Sequence, residues 1–167
     1  MAFSVTSFKE DGLPLGGYRP SLFEVQCTYA GQQLNMLANA SQVPAMTMGL
    51  IEVPYFGRKI KLAGDRTYAE WTTVLFMEED PTVRDTLEQW QMDMNKADTN
   101  ERALVNESYK KDAEVFLYGK DGSIFRTYSL KGCWPSDVGT IELDWGNNDA
   151  LATYSVTWQF DYMDKGA

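Results

Sequence analysis

The chain has 167 residues and an acidic composition that excludes several common kinds of functional site. It contains 15 Lys and Arg residues against 24 Asp and Glu residues, a formal net charge of −9, and no histidine. Without histidine there is no Ser-His-Asp or Cys-His catalytic group and no His-containing zinc or haem site. The acidic excess argues against a surface that holds nucleic acid, because phosphate binding needs clustered Lys and Arg.

The remaining composition is typical of one ordered domain of ordinary size. Hydrophobic residues make up 44% of the chain and aromatic residues 13%, which is enough to bury a single core. Cys27 and Cys133 are isolated in sequence, and we predict that both are free thiols. No apolar run approaches the roughly 18 residues that span a bilayer, so we expect no membrane insertion by this chain.

The first twenty residues form a separate segment. Gly12, Pro14, Gly16, Gly17 and Pro20 interrupt every period there, which prevents regular structure. We therefore predict an extended N-terminal arm, residues 1–20, and a single β-rich domain, residues 21–167.

Strands dominate the first half of the predicted domain. Two-fold alternation of apolar residues predicts a strand over 22–29 and a second over 34–38. Residues 43–57 are interrupted by Pro and Gly, and we interpret them as a loop too apolar to face solvent alone. A short strand is predicted over 58–63, and a longer one over 68–77, where Thr, Val and aromatic residues favour it.

One helix follows, over residues 81–94. Asp80 is a suitable N-cap and Pro81 a suitable first helical residue. Val83, Leu87, Trp90 and Met94 make one apolar stripe at helical spacing. Residues 95–111 are polar and charged, which indicates a linker.

Strands return in the second half of the chain. The pattern predicts them over 112–119, 123–131 and 139–145, and most clearly over 154–162, where aromatic and polar residues alternate. Many strands with one helix indicate a mainly β fold, a barrel or sandwich of two packed antiparallel sheets. The predicted core residues are Trp71, Leu87, Trp90, Trp134, Trp145 and Trp158.

Neither of the two charge clusters has the pattern of a catalytic site. Glu78, Glu79 and Asp80 precede the predicted helix, where the helix dipole favours negative charge, and no motif supports an acid-pair hydrolase. Arg58, Lys59, Lys61 and Arg66 stand out in an acidic chain. We interpret them as a positive surface that meets the acidic part of another copy, with a nucleic-acid patch as the alternative. We expect no catalytic residue, cofactor or metal.

Several short segments together resemble the tail tube proteins of contractile-tailed, myovirus-type bacteriophages. The resemblance rests on the order and spacing of these segments over residues 20–163. They are Arg58-Lys59-Ile60, Ala63-Gly64-Asp65-Arg66-Thr67, Trp71, Trp90, Tyr109-Lys110-Lys111, Lys131-Gly132-Cys133-Trp134-Pro135, Val138-Gly139, Leu143-Asp144-Trp145 and Phe160-Asp161-Tyr162.

The resemblance implies a structural virion protein and no enzyme. Six subunits would form a ring in which their sheets join into a continuous inner barrel, and rings would stack into a tube that scaffolds the contractile sheath. The implied partners are the sheath, tape-measure, baseplate and tail-terminator proteins. DNA would pass through without sequence-specific binding. The tube would be assembled in the host cytoplasm and reside in the virion tail.

The resemblance also assigns roles to particular residues. The apolar segment would be an inter-ring contact loop, with Glu52 and Glu70 as candidate acids facing the lumen, where like charge would keep DNA from adhering. The loop residues are Met48, Leu50, Ile51, Val53, Pro54, Tyr55, Phe56, Arg58 and Lys59.

Two other functions remain open from the sequence. A type VI secretion tube or a phage-derived contractile device would share the rings and lack a DNA cargo. A monomeric ligand-binding β-barrel would line a cavity with the aromatic strands.

Overall fold

A computed structural model describes residues 16–30, 32–35, 38–146 and 149–166. In these ranges the chain forms ten strands and two helices. The strands are β1 (Phe23–Tyr29), β2 (Gln32–Asn35), β3 (Ala38–Ser41), β4 (Met46–Tyr55), β5 (Arg58–Tyr68), β6 (Trp71–Phe76), β7 (Lys111–Tyr118), β8 (Ile124–Val138), β9 (Thr153–Gln159) and β10 (Tyr162–Lys165). The helices are α1 (Thr82–Met94) and the four-residue α2 (Asn106–Tyr109).

The strands pair in one large antiparallel sheet and one hairpin. The large sheet has the order β2-β1-β7-β8-β9-β6-β3, and β10 pairs with β8. Strands β4 and β5 pair with each other as a separate two-stranded sheet. The predicted mainly β, antiparallel fold with one substantial helix is therefore confirmed. Most of the predicted arm, residues 1–15, lies outside the described residues.

Strand β8 is shared between the two halves of the large sheet. Its first half pairs with β7 and β10 and its second half with β9. The change of partner falls next to Gly132, where φ is +69° and a Cβ atom would lie 2.4 Å from Asp161 Oδ2. The positive φ favours glycine at this point of the strand.

Several predicted strand boundaries are wrong, among them the following three. β8 continues through Gly132 and Pro135 as one strand, because a bulge beside Pro135 accommodates its missing N–H. Residues 139–145 are not a strand, since the ladder ends with the Gly139 N–H donating to the Ser155 carbonyl at 2.7 Å. The predicted strand over 34–38 is two strands, with β2 beside β1 and β3 beside β6.

Three tryptophans form the centre of the core with Leu87. Trp71, Trp90 and Trp158 are fully buried, and the ring of Trp158 lies 5.5 Å from that of Trp71 and 5.8 Å from that of Trp90. Each indole N–H has an acceptor: Thr73 Oγ1 for Trp158, Ser41 Oγ for Trp71 and the Tyr109 carbonyl for Trp90. Because every one of these indole N–H groups is hydrogen-bonded, the three rings can be buried without the cost of an unpaired donor, and the bonds fix the ring orientations.

The other two tryptophans lie outside this centre. Trp134 is half-buried, with its ring 6.3 Å from that of Tyr109. The prediction that Trp145 belongs to the core is wrong, because its side chain is 100% exposed. It lies in the loop that replaces the predicted strand 139–145, and so has no sheet to pack on.

Helix α1 crosses the sheet and is fixed at both ends. Arg84 Nη1 donates to the Gly139 carbonyl at 3.3 Å, and Gln91 Nε2 donates to the Pro135 carbonyl at 3.4 Å. The predicted Asp80 cap is wrong: Pro81 is the N-cap without a side-chain cap bond, and Asp80 accepts from the Thr82 hydroxyl instead. The helix consequently starts one residue later than predicted.

Both cysteines are free and buried. Burial raises the pKa of the Cys27 thiol to about 12, and it raises the pKa of the Cys133 thiol still further. Because the thiolate is the reactive form, neither native cysteine is expected to react while the subunit is folded.

Candidate assembly surfaces

The β4–β5 hairpin projects from the body of the subunit. The prediction of a loop over 43–57 is wrong for most of its length, because Met46–Tyr55 is strand β4. Pro54 is tolerated there since β4 pairs on one side only, with β5. At about 3.3 Å per residue, ten residues extend for about 33 Å.

One face of this hairpin is almost wholly apolar. The register places Ile51 opposite Leu62, Val53 opposite Ile60 and Tyr55 opposite Arg58, and opposed residues share a face. We call these six residues the apolar face. Each of its five apolar side chains is exposed, from 41% for Val53 to 61% for Tyr55. A contiguous exposed apolar surface of this kind marks an interaction site.

Near the tip the opposite face of the hairpin is charged, whereas toward the base it also carries the exposed apolar side chains of Leu50 and Met48. It holds the opposed pairs Glu52 with Lys61 and Pro54 with Lys59. Lys59 Nζ lies 2.6 Å from Glu52 Oε2 in an exposed ion pair. Glu52, a candidate lumen acid, is therefore flanked by two lysines, and the local charge of this face is positive.

The second candidate lumen acid lies far from the first. Glu70 is exposed at the junction of β5 and β6, where its Oε1 accepts from Gln159 Nε2 at 2.7 Å. Lys61 is the partner of Glu52 across the hairpin. Glu70 lies nine residues after Lys61, and in extended conformation nine residues span about 30 Å. Glu52 and Glu70 do not form one acidic cluster.

The hairpin tip holds an aromatic residue, Phe56, with a positive φ angle, a backbone conformation that bulky residues rarely adopt. Phe56 has φ +43° and Gly57 has φ +75°, and together they connect Tyr55 to Arg58. Two-residue hairpin turns with two positive φ values favour Asn-Gly. The Phe56 side chain is 91% exposed, so within the subunit its edge-to-face contact with the Tyr55 ring offsets only part of the cost of placing a bulky residue there.

Replacing Phe56 with asparagine should separate folding from assembly. We expect Phe56→Asn to leave the subunit as stable as the wild type or more stable by up to about 1 kcal/mol, because asparagine adopts positive φ more readily. The same change should shorten tubes. Urea unfolding and negative-stain microscopy measure the two effects, and tubes of normal length would show that the aromatic tip has no contact role.

A second exposed apolar surface lies in the loop between β8 and β9. Leu143 is 89% exposed and Leu151 is 73% exposed, beside the fully exposed Trp145. These three side chains line one cleft together with Glu142 and Asp144. Sequence reasoning placed this segment in a strand and its tryptophan in the core, and so missed the surface. The sequence signal that could have identified this segment as a loop is the turn sequence Gly146–Asp149.

The described part of the chain contains no side-chain cluster suited to a metal ion. Within it, no group of three or more Cys, Asp or Glu side chains is arranged to hold a metal ion. Its helices are too short or too polar to cross a membrane. The exposed apolar surfaces are therefore the strongest functional features that the structure describes.

Comparison with known proteins identifies the class that this fold and these surfaces define. The phage tail tube protein family matches residues 6–164, and the chain belongs to that family. It is 33% identical over 147 residues to the tail tube protein gp19 of Enterobacteria phage T4, and the alignment covers 87% of this chain and 90% of the relative. It is also 25% identical over 120 residues to the tail tube protein of Serratia phage KSP90, covering 72% of this chain and 68% of the relative.

Solved structures share the fold at lower identity. The chain resembles a component of the PVC sheath-tube complex, an extracellular contractile injection system in its extended state. The TM-score is 0.66, the identity 17%, and 99% of each chain is covered. It also resembles a component of the anti-feeding prophage tube-terminating cap, with a TM-score of 0.68, 16% identity, and coverage of 90% of this chain and 91% of that one. By its membership of the tail tube family, the protein is a tail tube subunit of the phage virion.

Proposed function

We propose that this subunit forms hexameric rings that stack into the DNA-conducting tube of a contractile tail and scaffold its sheath. The observation that carries the proposal is the projecting hairpin with its exposed apolar face, Ile51, Val53, Tyr55, Ile60 and Leu62. A contiguous exposed apolar face of this kind marks an interaction site, and the family supplies a second copy as the partner.

Ring closure would also remove the free edges of the sheets. The edge strands β2 and β3 each pair on one side only, and so do both strands of the hairpin. Unpaired edges invite uncontrolled pairing, whereas a closed ring satisfies them within a defined symmetry. A continuous inner barrel built from six subunits is the arrangement that we propose.

The charges of the hairpin change the proposed channel electrostatics. Residues 46–68 hold four basic and two acidic side chains, a net charge of +2, so the rest of the chain carries −11. Glu52 contributes little net repulsion because it is paired with Lys59. Of the two candidate lumen acids we favour Glu70, whose recorded hydrogen bond is to the neutral Gln159 side chain.

The phage-derived or type VI device is the second candidate function. The full-length similarity to the injection-system tube complex supports it at the level of fold. The virion assignment is favoured because the relatives above 30% identity are phage tail tube proteins.

Negative-stain microscopy of the purified protein tests the proposal. We expect six-fold rings or tubes, and rings of another order would contradict the hexamer. The sample should be examined at concentrations where tubes of related proteins assemble, and in the presence of a baseplate nucleus. If all of the protein is still monomeric under these conditions, the proposal that it assembles is contradicted.

A further inference from the structure

Two exposed apolar surfaces of the described chain lie at opposite ends of one sheet. The hairpin leaves the sheet at Ser41 and Trp71, the end where Trp71 pairs with Trp158. The β8–β9 loop lies at the other end, where Phe76 pairs with Thr153. Two different surfaces at opposite ends permit a head-to-tail contact that repeats from copy to copy.

The tip of the hairpin is basic and aromatic. Arg58 and Lys59 follow directly on Tyr55, Phe56 and Gly57. The rings of Tyr55 and Phe56 meet edge to face at 4.7 Å. The tip therefore presents an aromatic pair with positive charge beside it, about 33 Å from the base of the hairpin.

The loop at the other end is acidic and apolar. Residues 140–152 include Glu142, Asp144 and Asp149 and no basic residue. The cleft is formed by residues 142–145 and 150–152, with Leu143, Trp145 and Leu151 as its apolar lining. The cleft thus carries charge opposite to that of the tip and, like the tip, presents exposed apolar side chains.

This cleft is held by the sheet at both of its ends. The Gly139 N–H donates to the Ser155 carbonyl at 2.7 Å, and the Met77 N–H donates to the Ala152 carbonyl at 2.8 Å. Inside the loop, Asp144 Oδ1 accepts from the Gly146 N–H at 2.9 Å. The loop that carries the cleft is therefore fixed to the sheet at both of its ends.

We infer that the hairpin tip of one copy docks into the Leu143–Trp145–Leu151 cleft of the copy in the next ring. The inference rests on the proposed tube and names the acceptor surface for its hairpin. Tyr55 and Phe56 enter the apolar lining, and Arg58 and Lys59 face Glu142 and Asp144. Arg58 also reaches the exposed face of Trp145, a favourable partner for a guanidinium.

Disulfide trapping tests this contact in assembled tubes. The variant Phe56→Cys with Trp145→Cys should, after mild oxidation, give a non-reducing gel ladder that extends beyond six subunits, because the contact links ring to ring. The single variants are matched controls and should stay unlinked by this route. The native thiols do not contribute, since burial keeps them protonated. Tubes that form without cross-links, or with a ladder that ends at six, would overturn the inference.

Charge exchange tests the same contact without new cysteines. Arg58→Glu with Lys59→Glu, and separately Glu142→Lys with Asp144→Lys, should each shorten tubes by about tenfold, since like charges oppose across the contact. Combining all four changes should restore the length. If the combined variant does not restore tube length, the inference is overturned. Tubes of normal length from the Glu142 and Asp144 variant would also overturn it, and that result is expected if a sheath protein occupies the cleft.

The controls keep this inference separate from the proposed function. Wild-type protein that forms no rings or tubes contradicts the proposed function itself. Wild-type tubes accompanied by negative trapping and exchange results leave the tube function intact and exclude this acceptor. Circular dichroism of each soluble variant establishes that its subunit is folded.

Discussion

Replacing Val53 and Ile60 together with aspartate should abolish tube formation and leave a folded, monomeric subunit. The two residues face each other at the centre of the apolar face. Assembly would have to bury two unpaired carboxylates, which costs several kcal/mol. Each wild-type side chain is already more than 40% exposed in the subunit, so the core is not disturbed, and opposed like charges cost the hairpin only about 0.2–1 kcal/mol.

A matched control is available on the same hairpin. Thr47 and Thr67 are also opposed, near the base of the hairpin and four residues along β4 from the first residue of the apolar face, Ile51. Thr47→Asp with Thr67→Asp introduces the same pair of charges and should retain tubes. Sedimentation and negative-stain microscopy compare the two variants. Normal tubes from the Val53 and Ile60 variant would show that the apolar face is not buried on assembly.

Replacing Trp90 with alanine should cost about 3–5 kcal/mol of unfolding free energy. The Trp90 ring stacks at 4.2 Å on Tyr29, which also donates a hydrogen bond to Asp93, and it packs edge to face on Trp158. Its removal leaves a cavity between helix α1 and the sheet and leaves the Tyr109 carbonyl without its indole donor. This loss is a large fraction of the stability of a domain of this size.

Met92 provides the comparison for this change. It lies on the same helix and is 51% exposed, so Met92→Ala should change the unfolding free energy by less than about 0.5 kcal/mol. Urea unfolding followed by far-ultraviolet circular dichroism measures both. A Trp90→Ala midpoint close to that of Met92→Ala would show that the helix does not depend on this contact.

These two predictions act on separate parts of the molecule. The core unites helix α1 and both halves of the sheet around three tryptophans, whereas the hairpin pairs only with itself. Changes in the hairpin should therefore alter assembly with little effect on folding. Changes in the core should alter folding first, and assembly only through the loss of folded subunits.

Local patterns identified some of these features well and others poorly. The helical stripe of Leu87 and Trp90 predicted α1 to within one residue. This prediction succeeded because a helix is specified by residues close together in sequence: an apolar period of 3.6 residues followed by a polar run. The alternation from Tyr154 predicted β9, but the pattern ran on past its end. The chain instead turns at Asp161, whose N–H donates to the Lys131 carbonyl, and continues as β10. That turn depends on a partner strand thirty residues away.

The hairpin and the loop show the same division most clearly. The apolar residues of 43–57 indicated a surface to be covered, yet Pro54 and Gly49 made the segment look like a loop. The alternation over 139–145 looked like a strand with a core tryptophan, although Trp145 is fully exposed. In both cases periodicity described which residues are apolar, and not whether a neighbouring strand is present to pair with them.

The sequence by itself determined the class of protein, the mainly β composition, the single long helix and the presence of an apolar segment that needs a partner. Only the tertiary structure decided that this segment is a projecting hairpin, that Glu52 is paired with Lys59, and that Trp145 lies in an acidic cleft at the opposite end of the sheet. The reason is physical. Periodicity and composition are local properties of the chain, whereas pairing, exposure and the relative placement of two surfaces depend on contacts between residues far apart in sequence.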